Sequence, residues 1–140
     1  MKAEREPCPR QFRDAAWVHG DERTVAIETL FDRIVEQGAV VPGIWHLEVA
    51  NSLTVALRRN RITAVFRDEV LADLAQIDIR TDPETNQHAW SATLRLADRF
   101  GLTLYDAAYL ELAQRRQLPL ASLDTALMTA AKTVGTTILP

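Results

Sequence analysis

A single cysteine, Cys8, among 140 residues leaves no partner for an internal disulfide. No Cys/His cluster stands at zinc spacing, so zinc is set aside and a reducing, cytoplasmic setting is expected. No apolar run approaches the roughly 20 residues that a bilayer span needs, which excludes a membrane protein of the helical kind. The opening Met1-Lys-Ala-Glu-Arg-Glu-Pro-Cys8 has no apolar core segment of the sort a signal or transit peptide carries. Positive charge is not in excess either. The formal net charge of −3 argues against a protein that holds nucleic acid mainly by bulk positive potential. It leaves room for a nuclease, because sites that take Mg²⁺ through several carboxylates are themselves negative. Also missing are a Ser/His/Asp set, a Gly-rich phosphate loop and a GxGxxG fingerprint, which removes hydrolase triads, P-loop enzymes and dinucleotide dehydrogenases.

What is present is enough for one compact domain over residues 1–140, and too little for two ordinary ones. Residues 1–20 show no period of two and carry Pro7 and Pro9, a poor strand and a worse helix. From Asp21 or Thr24 as cap, Val25, Ile27, Leu30, Phe31, Ile34 and Val35 keep helical spacing as far as Gly38. Residues 39–42 read as a buried parallel strand closed by proline. Gly43 leads into a helix over 44–59 with Trp45, Val49, Leu53, Ala56 and Leu57 on one face, and Glu48 falls in its first turns. A helix over 64–76, a strand over 77–80 and a loop at Asp82-Pro-Glu84 follow. Further helices are predicted over 88–100, through Ala89, Trp90, Leu94, Leu96 and Ala97, and over 104–117 with Thr103 as cap. A strand over 119–122, a helix over 125–134 stopped by Gly135 and a strand over 136–139 complete the chain. Short apolar strands alternating with helices, without an internal repeat, define an α/β domain with a mostly parallel sheet covered by helices.

In such a sheet, ligands bind beyond the carboxyl ends of the strands, where the chain turns into the next helix. Glu48 follows the strand that ends near Val41, and Asp124 follows the strand that ends at Ser122. Asp106 joins them if its helix starts at the same rim. Three carboxylates gathered there repel one another unless a cation sits among them. Mg²⁺ and Mn²⁺ take carboxylate oxygen and keep open positions for a phosphodiester oxygen and an attacking water. Taken singly, each acid has a plainer explanation. Thr103-Leu-Tyr-Asp106 is a capping box, Asp124 is a simple N-cap, and Glu48 gains from the positive end of its helix. The balance shifts because all three follow apolar strands or open helices on what should be one rim.

Other polar and aromatic residues carry less. His19 and His46 have no partner at ligand spacing, and His88 suits a surface or capping place better than a general base. Trp45 and Trp90, among aliphatic neighbours at helical spacing, read as core. Arg58, Arg59 and Arg61 cluster at a helix C-terminus, where the dipole favours cations; contact with RNA phosphates is the other reading.

Leu47-Glu-Val-Ala-Asn51, Leu104-Tyr-Asp-Ala-Ala-Tyr109 with Leu112-Ala113, and Leu120-Ala-Ser-Leu-Asp124 with Ala130-Ala131 and Gly135 together resemble the PIN domain, in particular the VapC toxins of bacterial toxin–antitoxin pairs. The resemblance runs from about Trp17 to the C-terminus. It implies a three-layer α/β/α sandwich and an endoribonuclease that cuts tRNA or other structured RNA with Mg²⁺ or Mn²⁺ held by Glu48, Asp106 and Asp124. A homodimer restrained by a cognate antitoxin is implied as well. The front of the chain departs from the pattern. Trp17 and Asp21-Glu22 are in place, but Arg10 stands where the family's first-strand aspartate would be, and Asp14-Ala15 is out of register by four. A shifted reading frame, a degenerate member that binds without cutting, and a slipped register in which Asp14 serves are the three explanations. An arginine there would displace the cation by offering its own charge.

Overall fold

Ala39, Val40 and Val41 are small or β-branched and wholly buried, a composition that suits a strand covered on both faces. They form strand β2 (Ala39–Val41) of the computed structural model, which describes residues 8–9, 32, 34–122 and 124–139. A strand β1 (Cys8–Pro9) precedes it. After β2 come helices α1 (Trp45–Arg58) and α2 (Ala64–Ala75), strand β3 (Ile79–Thr81), and helices α3 (Thr85–His88), α4 (Ala92–Phe100) and α5 (Leu104–Arg116). Strand β4 (Leu120–Ala121), helix α6 (Thr125–Thr133) and strand β5 (Ile138–Leu139) close the order.

Among the described residues all strand pairings are parallel. Strands β1, β4 and β5 form one hydrogen-bonded set, and β2 and β3 a second. Strand β1 also lies against β2, which brings the two sets side by side. The fold is therefore α/β, mostly helical, with short parallel strands. Residues 8–9 correct the reading of the first twenty residues as poor strand: Cys8 pairs with Leu120 and Pro9 with Ala121. Proline has no amide to donate, and the strand is only two residues long. The start expected for the next helix, at Asp21 or Thr24, lies outside the described residues. The end of that helix is seen, with residues 34–37 helical and the Gly38 amide donating to the Ile34 carbonyl at 2.8 Å.

Two further expectations need correction. The strand predicted at 77–80 lies at Ile79–Thr81, because the Ile77 amide still serves the end of α2 by donating to the Leu74 carbonyl. The helix predicted over 88–100 starts only at Ala92, as α4; residues 89–91 are turn, and the short helix α3 ends at His88, where the predicted one was to begin. Ser91, at φ −127° and ψ −98°, breaks the helical path between α3 and α4. Trp90 sits at that break and is 92% exposed, so it is a surface residue, whereas Trp45 is buried as expected.

At the centre lies α5. Every residue from Asp106 to Ala113 is buried, as befits a helix covered on all sides. Trp45, Val49, Leu53 and Ala56 of α1 and Leu127, Ala130 and Ala131 of α6 share the same core. Among the described residues no helix is long and apolar enough to cross a membrane.

Candidate functional site

Helix α1 enters directly from β2, so Glu48 rides in the first turn beyond that strand. Helix α5 starts with Thr103, whose hydroxyl accepts from the Asp106 amide at 3.1 Å. This is the forward half of the capping box read from the sequence. Asp106 is buried. One turn further along α5, the Tyr109 hydroxyl donates to Glu48 Oε1 at 2.5 Å. The helix that carries Asp106 in its first turn thus holds the Glu48 carboxylate through a buried tyrosine, across 61 positions of sequence.

Asp124 stands at the head of α6, three residues after β4 ends. Its Oδ1 accepts from the Leu127 amide at 2.9 Å, and its own amide donates to the Ser122 hydroxyl at 3.0 Å. The N-cap role expected of it is therefore filled. Among the described residues, no group of three or more His, Cys, Asp or Glu side chains stands close enough to hold a metal ion. Asp14, Arg10 and His19 lie outside the described residues. A cleft of about 320 Å³ opens beside Glu48, walled by Ile44, Leu47, Asn51 and Tyr105. Leu47 and Tyr105 are largely exposed in it.

The model of the PIN domain family matches residues 15–132. The chain belongs to the PIN domain family. Among solved structures, the crystal structure of PAE2754 from Pyrobaculum aerophilum is similar at a TM-score of 0.63. Identity is 20% over 98% of this chain and 85% of that one, so the likeness is one of fold. No curated protein matches. PIN domains are generally nucleases of the metal-dependent hydrolase kind. Glu48 of α1 and Asp106 of α5 are carboxylates, the donor type that hard divalent ions take.

This PIN domain also carries a polar cluster that reading the sequence missed. Asp82 is 3% exposed and Glu111 4% exposed, and both bind Arg115. Arg115 Nη2 and Nη1 reach Asp82 Oδ2 and Oδ1 at 2.6 and 3.2 Å, and its Nε and Nη2 reach Glu111 at 2.7 and 3.1 Å. Glu84 adds a looser contact at 3.4 Å. Burial by itself pushes the Asp82 carboxyl up. Hydrogen bonds from Arg115 and Thr85, with the guanidinium's charge, outweigh burial and hold it below its ordinary value. Hydrogen bonding to Glu111, aided by Asp82, likewise outweighs burial and raises the Arg115 guanidinium. One signal was available in the sequence: Glu111 and Arg115 are spaced i,i+4 in a helix whose neighbouring positions are apolar. The third member lies 33 positions away, beyond any local pattern.

Proposed function

We propose that this PIN domain is a metal-dependent endoribonuclease of the VapC type, with Glu48, Asp106 and Asp124 as its acidic set and tRNA or another structured RNA as substrate. The observation that carries the reading is the Tyr109 to Glu48 hydrogen bond, which ties the acid of α1 to the helix that carries Asp106 in its first turn. In this reading Mg²⁺ or Mn²⁺, when bound, activates a water and offsets charge developing on the phosphate. Glu48 and Asp106 would provide carboxylate oxygens for it. Asp124 has one oxygen committed to the Leu127 amide and would contribute the other. Tyr109 fixes one Glu48 oxygen, so the carboxylate is oriented before any ligand arrives. The open cleft beside Glu48 gives a phosphodiester a way in. The proposal extends to a three-layer α/β/α packing of one domain in a cytoplasmic protein. It includes a homodimer and a cognate antitoxin, for which the exposed Trp90, Leu94, Leu47 and Tyr105 offer apolar surface.

A second reading, a PIN domain that binds without cutting, is favoured by Arg10 standing at the register of the first-strand acid. Incubation with total RNA separates the two. The nuclease reading expects cleavage with Mn²⁺ that is abolished by a chelator and lost in Asp106→Asn. Cleavage that survives both treatments, or none under any divalent ion, leaves the binding module.

A further inference from the structure

Helix α1 has no cap of its own. Helices α2, α5 and α6 each begin with a side chain that accepts a first-turn amide, from Thr63, Thr103 and Asp124. At the head of α1 stands Ile44, which makes no side-chain cap bond and belongs to a residue type that caps poorly. The amide just ahead of it is satisfied from elsewhere: Gly43 N donates to Thr85 Oγ1 at 3.1 Å, across 42 positions. The Thr85 hydroxyl in turn donates to Asp82 Oδ2 at 3.0 Å. An ionised carboxylate only accepts, so Asp82 draws the hydroxyl proton to itself and turns a lone pair of Thr85 toward Gly43. Arg115 and the Asp82 amide, which donates to the Val41 carbonyl at 2.8 Å, hold Asp82 in place. The relay therefore runs from Arg115 of α5 through Asp82, just past β3, and Thr85 of α3 to the turn between β2 and α1. Glu48 is the first acid beyond that turn, and its amide donates to the Ile44 carbonyl at 3.0 Å.

We propose that Thr85, oriented by Asp82 and Arg115, is a positioning residue for Glu48, capping the β2–α1 turn from outside and so setting where the α1 acid meets the rim. The link to catalysis rests on the nuclease reading above; the link to geometry does not. Thr85→Val keeps the branched shape and removes the hydroxyl, and the exposed Gly43 amide then turns to water, so the fold is retained. Thr85→Ser keeps the hydroxyl and serves as the conservative rescue.

Three readouts are taken on the full chain: amide exchange at residues 43–48, the ¹³C signal of the Glu48 carboxyl, and cleavage kinetics with Mn²⁺. For Thr85→Val, exchange at 43–48 is expected to rise about five- to tenfold, the worth of one ordinary hydrogen bond, and the Glu48 signal to move. Its kcat should fall by a similar factor while KM stays near the wild-type value, since the hydroxyl touches no substrate group in this scheme. Thr85→Ser should track the wild type in all three. A Thr85→Val protein with unchanged exchange and an unmoved Glu48 signal overturns the proposal, as does a Thr85→Ser protein that behaves like valine. A raised exchange with unaltered kcat overturns it too. If the wild type cuts no RNA, the nuclease reading falls by itself, and the exchange and carboxyl signals still decide for or against Thr85.

Discussion

Arg115 stands between two carboxylates that are almost wholly shielded from water, Asp82 and Glu111. Replacing it by methionine keeps the aliphatic stem and removes the positive charge that, among the described residues, offsets them. Breaking a buried pair from one side costs about 3–5 kcal/mol, and urea denaturation of Arg115→Met should show a loss of that order; a loss below about 1 kcal/mol would mean that water already screens the cluster. The pH dependence has a definite sign. The Asp82 carboxyl is held below its ordinary value in the folded chain, so its contribution is present above the unfolded value of about 3.9 and is lost as pH falls through the folded value. Denaturation midpoints between pH 5 and pH 3 should therefore fall more steeply for the wild type than for Asp82→Asn. From sequence, Asp82 served only to mark a loop with Pro83. The burial that makes it matter comes from α5, which local patterning does not connect to it.

At the scale of elements, helix ends were the most legible feature, because capping and left-handed residues are local chemistry. Thr103, Asp124, Gly38 and Gly135 all stand at helix termini as read, and Gly101 closes α4; the three glycines have positive φ. The same positions are unequal in cost. A Cβ at Gly38, with φ +76°, would come within 2.7 Å of the Asp78 carbonyl oxygen, whereas one at Gly101, with φ +63°, would meet nothing within 4 Å. Gly101→Ala should thus cost only the left-handed penalty, about 1–2 kcal/mol, and Gly38→Ala distinctly more by thermal or urea denaturation, because β3 must move as well. Equal losses would show that the contact with Asp78 relaxes freely. The break at Ser91 and the exposed Trp90 were hidden from periodicity, since apolar residues at helical spacing look alike whether the backbone continues or kinks between them. Asp124 shows how a cap and a functional role are separated. Asn is as good a cap as Asp, so Asp124→Asn should keep the denaturation midpoint close to wild type; if the carboxylate also serves cleavage, activity falls while stability does not.

For the whole molecule, the alternation of helix and parallel strand was legible because each element follows from composition and period, whereas the meeting of Glu48 with α5 depends on how far two helices lean toward each other. Tyr109 supplies that meeting, and nothing in the spacing of Tyr109 marks it as a partner of Glu48 rather than as core. Metal linkage tests the arrangement without asking the protein to cut anything. An ion that binds only the folded chain stabilises it by about 2.7 kcal/mol at a hundredfold excess over its dissociation constant, which corresponds to several degrees in Tm for a chain of this size. Mn²⁺ should therefore raise the Tm of the wild type, and a chelator should return it to the starting value. Asp106→Asn and Glu48→Gln should lose most of the shift if α1 and α5 supply the ligands. Asp98→Asn, at an exposed position of α4, should keep it, which separates a specific site from general screening of acidic charge. A Tm rise shared equally by all four proteins would assign the effect to the net negative charge of the chain and remove the reason for placing a cation between α1 and α5.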